Sequence, residues 1–181
     1  VKATLTFKPA PEHHWYKFKR IDMEGAPTID ADASNVVDTS RGTTLQQNGA
    51  RINTTEHALA ALVGLQIDNV IIEVDGPEVP IMDGSSKPFI DALLTAGIVE
   101  QNADREVFVL DEVLTYEEPA RNVEMLTVPS PDYRLTVMVD YNSPVLGTQH
   151  AQLHKITEFQ TEFSPCRTFC FLHELESLVK H

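Results

Sequence analysis

Residues 51–74, RINTTEHALAALVGLQIDNVIIEV, hold the clearest helix and the clearest strand of the chain side by side. His57, Ala58, Leu59, Ala60, Ala61, Leu62 and Val63 form a run of high helix propensity, and Thr54 can cap it. Gly64 or Gln66 ends the run. Asn69 to Val74 then reads as a buried strand from its β-branched content, and Gly76-Pro77 breaks it.

Upstream, Lys2 to Phe7 alternate as a strand does, with Ala3, Leu5 and Phe7 on one face, until Pro9 and Pro11 stop the run. Trp15 to Ile21 give a second short strand, and Gly25-Ala26-Pro27 a turn. Asp38 to Leu45 is polar, and Ala50 to Asn53 short and extended. Downstream, Asp83-Gly84-Ser85 is a turn. Pro88 suits a helix's first turn, Phe89, Ala92, Leu93 and Leu94 give it an apolar stripe, and Gly97 stops it. A linker runs from Glu100 to Arg105. The pattern then restarts, with strands at Val107 to Leu110, Val123 to Val128 and Arg134 to Tyr141. Helical runs follow at Phe159 to Glu162 and Phe169 to Lys180. This order predicts the α+β class, in two units with antiparallel or mixed sheets, residues 1–103 and 104–181.

Composition narrows the function. The chain has 181 residues, 42% of them hydrophobic and 23% charged, as globular proteins do. Its net charge of −13 argues against binding a nucleic-acid backbone, which needs a basic footprint. An anionic small substrate needs only a local cluster of donors. No apolar run approaches the ~20 residues of a membrane span and no signal peptide opens the chain, so a cytoplasmic protein is expected. The two cysteines, Cys166 and Cys170, stand four apart, which would put both on one helix face. They are expected as free thiols in a reducing compartment, packed in the core. Both ends look cut, which predicts a fragment.

The chemistry-bearing residues cluster at helix starts. Glu56 and His57 open the strongest helix; adjacent residues sit about 100° apart there, yet at a helix mouth both can face one cleft. A neutral His57 could ligate zinc, and Glu56 could take a proton from a bound water. A helix N-terminus favours a carboxylate by only ~0.3–1 kcal/mol, whereas zinc lowers the pKa of its water from ~16 to ~7. The metal would therefore do most of the activation. An exposed His beside a dipole-matched Glu is the plainer reading of the dipeptide alone. Arg167-Thr168-Phe169 precedes a helical run; Thr168 could donate to a developing oxyanion, or stand near an N-cap. Asp83 sits in an Asp-Gly turn and reads as structural. His13-His14 reads as loop, and His150, His154, His173 and His181 show no metal-ligand spacing. No Gly-x-Ser-x-Gly turn supplies a nucleophile.

In order along the chain, these segments resemble the zinc-dependent UDP-3-O-acyl-N-acetylglucosamine deacetylases of lipid A biosynthesis. The resemblance is strongest from Arg51 to Gly97, through Arg51-Ile52-Asn53-Thr54-Thr55-Glu56-His57 and Gly76-Pro77-Glu78-Val79-Pro80-Ile81-Met82-Asp83-Gly84-Ser85. Lys8-Pro9-Ala10-Pro11, Asp38-Thr39-Ser40-Arg41-Gly42-Thr43 and Arg167-Thr168-Phe169 also fit. It is looser from Asp111 to Ser164.

The resemblance implies two similar domains, each a β-sheet packed against helices, with the active site between them and the second domain incomplete in these residues. It implies His57 as a zinc ligand, Glu56 as general base, Thr168 as oxyanion stabiliser and Phe169 beside the substrate or its acyl passage. The substrate would be acylated UDP-N-acetylglucosamine, losing its N-acetyl group as acetate. The family's later His-Lys-x-x-Asp segment, its general-acid His and its opening Gly-Leu-His-Thr-Gly-like loop have no counterpart here. One recognisable ligand against the usual three predicts that these residues alone bind zinc poorly and do not turn over. The competing expectation is an inactive fragment or a non-catalytic binding module of the same fold. Some family members are fused to a hydroxyacyl-carrier-protein dehydratase, on which these residues are silent.

Overall fold

The computed structural model describes residues 2–172, 174 and 175. It mixes α and β, with several sheets and few helices. The chain divides into two compact units, Val1–Ala103 with Thr157–His181, and Asp104–Ile156.

The first unit is built from β1 (Leu5–Pro9), β2 (Tyr16–Arg20), β3 (Thr28–Asp30), β4 (Val36–Asp38), β5 (Thr44–Gln47), β6 (Ala50–Ile52), α1 (Glu56–Gly64), β7 (Val70–Val74) and α2 (Lys87–Ala96). One sheet runs β1-β7-β2-β3 and a second runs β4-β5-β6. β7 lies inside its sheet, antiparallel to β1 and parallel to β2. Its alternation puts Val70, Ile72 and Val74 in the core and leaves Ile71 and Glu73 half-buried. Glu73 ties both neighbours: its Oε2 is 2.6 Å from Lys8 Nζ and its Oε1 3.5 Å from Lys19 Nζ. β1 runs through Pro9, which the sequence reading placed as the stop; β1 is an edge strand and Pro9 its last residue, where a proline is tolerated.

α1 buries Ala58, Ala61 and Leu62 along one face, and the core beneath it includes Phe18, Ile52 and Ile72. Each large apolar side chain buried there contributes about 1.5–3 kcal/mol. α2 buries Phe89, Ile90 and Leu93, with Phe89 edge-on to Phe7 at 6.3 Å. The stripe expected through Ala92 and Leu94 is therefore corrected: both face solvent, and Ile90 takes the inward place. Gly97 ends α2 at φ +86°, as a helix stop does.

A π-helical turn, Phe159–Phe163, follows in the same unit. Cys166 and Cys170 lie beyond it in irregular chain, not on one helix face, and both are exposed, not packed in the core. The helix expected from Phe169 starts later, since residues 169–171 are irregular and Leu172, Glu174 and Leu175 are helical. Residues 176–180 of that expectation, with His173 and His181, lie outside the described residues.

The second unit holds two antiparallel hairpins. β8 (Leu114–Glu118) pairs with β9 (Val123–Thr127), and β10 (Leu135–Asp140) with β11 (Thr148–Leu153). Asn122, left-handed at φ +53°, turns the first hairpin. The strand expected at Val107 to Leu110 does not form: those residues are irregular, with Val107, Phe108 and Val109 exposed.

Candidate active site

The entry into α1 is held from below. Thr55 is fully buried, and both its N–H and its Oγ1–H donate to Thr43 O, at 3.1 and 3.0 Å. Thr54 does not cap the helix as expected. It is left-handed at φ +59°, and its hydroxyl donates to Glu78 Oε1 at 2.8 Å. Asn53 pairs with the same segment, its N–H donating to Pro77 O at 2.9 Å while its carbonyl accepts from Val79 N–H at 3.1 Å. Thr54 is thus turned outward by the Pro77–Val79 strip, and Glu56 becomes the first helical residue.

This places Glu56 against β5's lead-in. The Thr43 N–H donates to Glu56 Oε2 at 2.8 Å. Gly42 permits the approach: a Cβ there would lie 3.0 Å from Glu56 Oε1. The second carboxylate oxygen, Oε1, is 3.8 Å from His57 Nε2. That distance is too long for a hydrogen bond but close enough for charge to act. The Glu56 side chain is 36% exposed and His57 14%, so the pair is shielded without being sealed. One oxygen is thus pinned by main chain and the other faces an imidazole, an arrangement suited to accepting a proton at a defined atom.

A second group forms around the turn that holds Asp83. Asp83 Oδ1 accepts from Ser85 N–H at 3.0 Å and from the Ser85 hydroxyl at 2.7 Å, and its Oδ2 lies 3.5 Å from Arg167 Nη2. The Ser85 hydroxyl, and more weakly Arg167, holds the Asp83 carboxyl below the ordinary carboxylate range. Gly84 is left-handed at φ +84°, and its carbonyl accepts from Thr168 N–H at 2.8 Å. Thr168 is exposed, with its main chain anchored. Phe169, also exposed, meets Phe171 edge-on at 5.7 Å.

The structure therefore brings Glu56 to His57 and Thr168 to the Asp83–Gly84 turn. Among the described residues, no hydrogen bond or ion pair joins Thr168 to Glu56 or His57. Nor, among them, could any group of three His, Cys, Asp or Glu hold a metal ion. Sequence reading missed the carboxylate's partners, Gly42 and Thr43; a glycine one residue before a main-chain donor was the available signal.

The family model of the UDP-3-O-acyl N-acetylglycosamine deacetylases (LpxC) matches residues 1–181. The chain is 50% identical over 179 residues to a bifunctional enzyme LpxC/FabZ of Chlorobaculum tepidum, and 40% identical over 176 residues to one of Bacteroides thetaiotaomicron. It covers 38% of each of those relatives, which in turn match 98% and 97% of the chain. It is 40% identical over 178 residues to a UDP-3-O-acyl-N-acetylglucosamine deacetylase of Myxococcus xanthus, a match to 98% of this chain and 56% of the relative. The chain thus spans little more than half of that relative's length, and less of the bifunctional ones.

Proposed function

This chain belongs to the UDP-3-O-acyl N-acetylglycosamine deacetylase family, and from that premise we propose that the protein carrying it hydrolyses the N-acetyl group of UDP-3-O-acyl-N-acetylglucosamine in lipid A biosynthesis. The observation that carries the reading is the Glu56 carboxylate, pinned at Oε2 by Thr43 N–H and set beside His57 at Oε1. Relatives named for this deacetylation support the substrate. A nucleotide sugar suits a cytoplasmic protein, and no helix among the described residues is long and apolar enough to cross a membrane. The region after Ala103 is assigned, on the same resemblance, to the start of a second deacetylase domain.

Zinc dependence belongs to this proposal, with His57 as one ligand. The described residues do not fit a zinc ion by themselves. A catalytic site keeps three protein ligands, and no such group occurs among them. The other ligands would come from residues outside those described.

The chain's own residues account for the proton and the oxyanion. A water attacks the acetyl carbon, an O–C bond forms, and Glu56 takes the water's proton at its Oε1. The carbonyl oxygen becomes an oxyanion that accepts a hydrogen bond from the Thr168 hydroxyl, which the Gly84 carbonyl orients through the Thr168 amide. Collapse breaks the C–N bond, Glu56 returns the proton to the leaving amine, and the acetic acid released ionises to acetate, its proton passing to water or to the free amine. Phe169, the next residue in the chain, offers an exposed apolar ring suited to the substrate's acyl chain.

The test is acetate release from UDP-3-O-acyl-N-acetylglucosamine by the whole protein, with zinc per polypeptide measured on the same sample. Stoichiometric zinc and acetate formed with the free-amine sugar are expected. The rival reading, a non-catalytic module of this fold, draws on the missing three-ligand group. It predicts neither zinc nor acetate, and that pair of results would replace the enzyme reading.

A further inference from the structure

We infer that Gly64 and Phe159 form a positioning pair that sets where Thr168 stands, an inference that rests on the oxyanion role proposed for Thr168. The observation is steric. A Cβ on Gly64 would lie 2.2 Å from Phe159 Cδ1, 2.8 Å from Cγ and 2.9 Å from Cε1. The ring occupies the place where any other residue would begin its side chain. The backbone does not demand a glycine there. The left-handed residue after α1 is Gln66, at φ +56°, and Gly64 is not among the positive-φ positions. Glycine weakens a helix relative to alanine. Close approach of the aromatic ring is the reason the structure offers for it.

Phe159 is half-buried against the core and stacks in parallel on Phe163, at 6.3 Å between centroids. From that anchor the chain is held turn by turn to Thr168. Ser164 N–H donates to Phe159 O at 2.8 Å, and the buried Ser164 hydroxyl to Gln160 O at 2.6 Å. Cys166 N–H donates to Phe163 O at 2.9 Å, and Thr168 N–H to Gly84 O at 2.8 Å. The far end also meets a glycine, since a Cβ on Gly84 would sit 3.6 Å from Thr168 Cγ2. The segment is thus seated at Gly64 and at Gly84, with little slack between. Adding a methyl at Gly64 pushes on a ring already packed against the core, and the displacement passes along the hydrogen-bonded turn to Thr168. A shift of about 1 Å in a catalytic group costs on the order of 10²-fold in rate.

The test uses the whole protein with Gly64→Ala, read by amide hydrogen exchange at residues 166–168 and by steady-state kinetics. Faster exchange of the Thr168 amide is expected, with kcat lower by about 10- to 100-fold and KM little changed. In a Thr168→Val background Gly64→Ala should lower kcat no further, whereas a general loss of stability would multiply the two losses. In a Phe159→Ala background Gly64→Ala should add nothing, because the obstructing ring is gone. If Gly64→Ala yields no soluble protein, Phe159→Leu withdraws the ring from the same seat and should show the same exchange and kcat changes. Unchanged exchange and kcat in the readable variant would overturn the positioning pair. A fully active Thr168→Val enzyme would instead overturn the oxyanion role, and the exchange result alone would then decide whether the pair seats the segment.

Discussion

Residues 1–103 with 157–175 and residues 104–156 are both rich in antiparallel ladders, yet they bury side chains very differently. Among the described residues, every member of the main core lies in the first region, while the second buries one apolar side chain, Leu153. The ladders themselves do not explain this. β10 and β11 pair over six residues each, more than any pair in the first region. The difference is cover. In the first region Ala58, Ala61 and Leu62 of α1 and Phe89 and Leu93 of α2 share a core with β-strand residues such as Ile72. In the second, Met138 of β10 is 74% exposed and Leu126 of β9 64%. Main-chain pairing makes a strand, but removing its apolar face from water is what makes a core.

That comparison predicts an ordered set of stability effects, read by urea unfolding of the 181-residue chain. Phe18→Ala, in the first region's core, should cost about 3–5 kcal/mol, whereas Met138→Ala should stay within about 0.5 kcal/mol. Similar losses for the two would mean that the second region buries a core of its own. Asp22→Ala comes next. The side chain of Arg20 is largely buried, with its guanidinium paired to Asp22 at 2.8 Å from Nε and Nη2 and donating also to Arg51 O. Removing Asp22 leaves that charge under-partnered, at a cost of about 1–3 kcal/mol.

Acid should act on the same region. The Arg20 guanidinium holds Asp22 below its usual 3.8, and Lys17, helped by Gln47, does the same for Asp30. A carboxyl whose folded pKa is depressed contributes stability fully above its unfolded pKa, and loses it as pH falls through the folded value. The urea midpoint should therefore hold down to about pH 4 and fall below it, and Asp22→Ala should flatten part of that fall. An unchanged acid profile in Asp22→Ala would remove this pair from the account. The smallest effect belongs to Lys87→Ala, which breaks an exposed pair with Asp91 at 2.7 Å and should cost less than about 0.5 kcal/mol.

What could be read from the sequence follows the same divide between local and distant causes. α1 and β7 were legible because the Ala-Leu run and the β-branched run each state their own structure. The turn at Asp83 and the helix stop at Gly97 were legible for the same reason, being chosen by residues within a few positions. Leu94 was misplaced because an apolar stripe does not say which neighbour it meets, and α2 turns Ile90 inward instead. Val107 to Leu110 looked like a strand but forms none, since a strand needs a partner that propensity cannot name. β8 and β11 were missed for the converse reason: Leu-Thr-Tyr-Glu-Glu and Thr-Gln-His-Ala-Gln-Leu each alternate over only three residues and are otherwise polar, so their pairing with β9 and β10 does most to define them. At the candidate site, Glu56 and His57 could be named from the chain, but the Thr43 donor that fixes Glu56 Oε2 and the ring that Gly64 accommodates come from other segments.

Whether Glu56 moves the proton is decided by Glu56→Gln in the whole protein. The amide keeps the side chain's shape and can still accept from Thr43 N–H, but it cannot take a proton from water. Acetate release measured beside zinc content should fall by about 10²–10⁴ while zinc per polypeptide stays unchanged. Acetate release near that of the unaltered protein, at the same zinc content, would remove Glu56 from the chemistry.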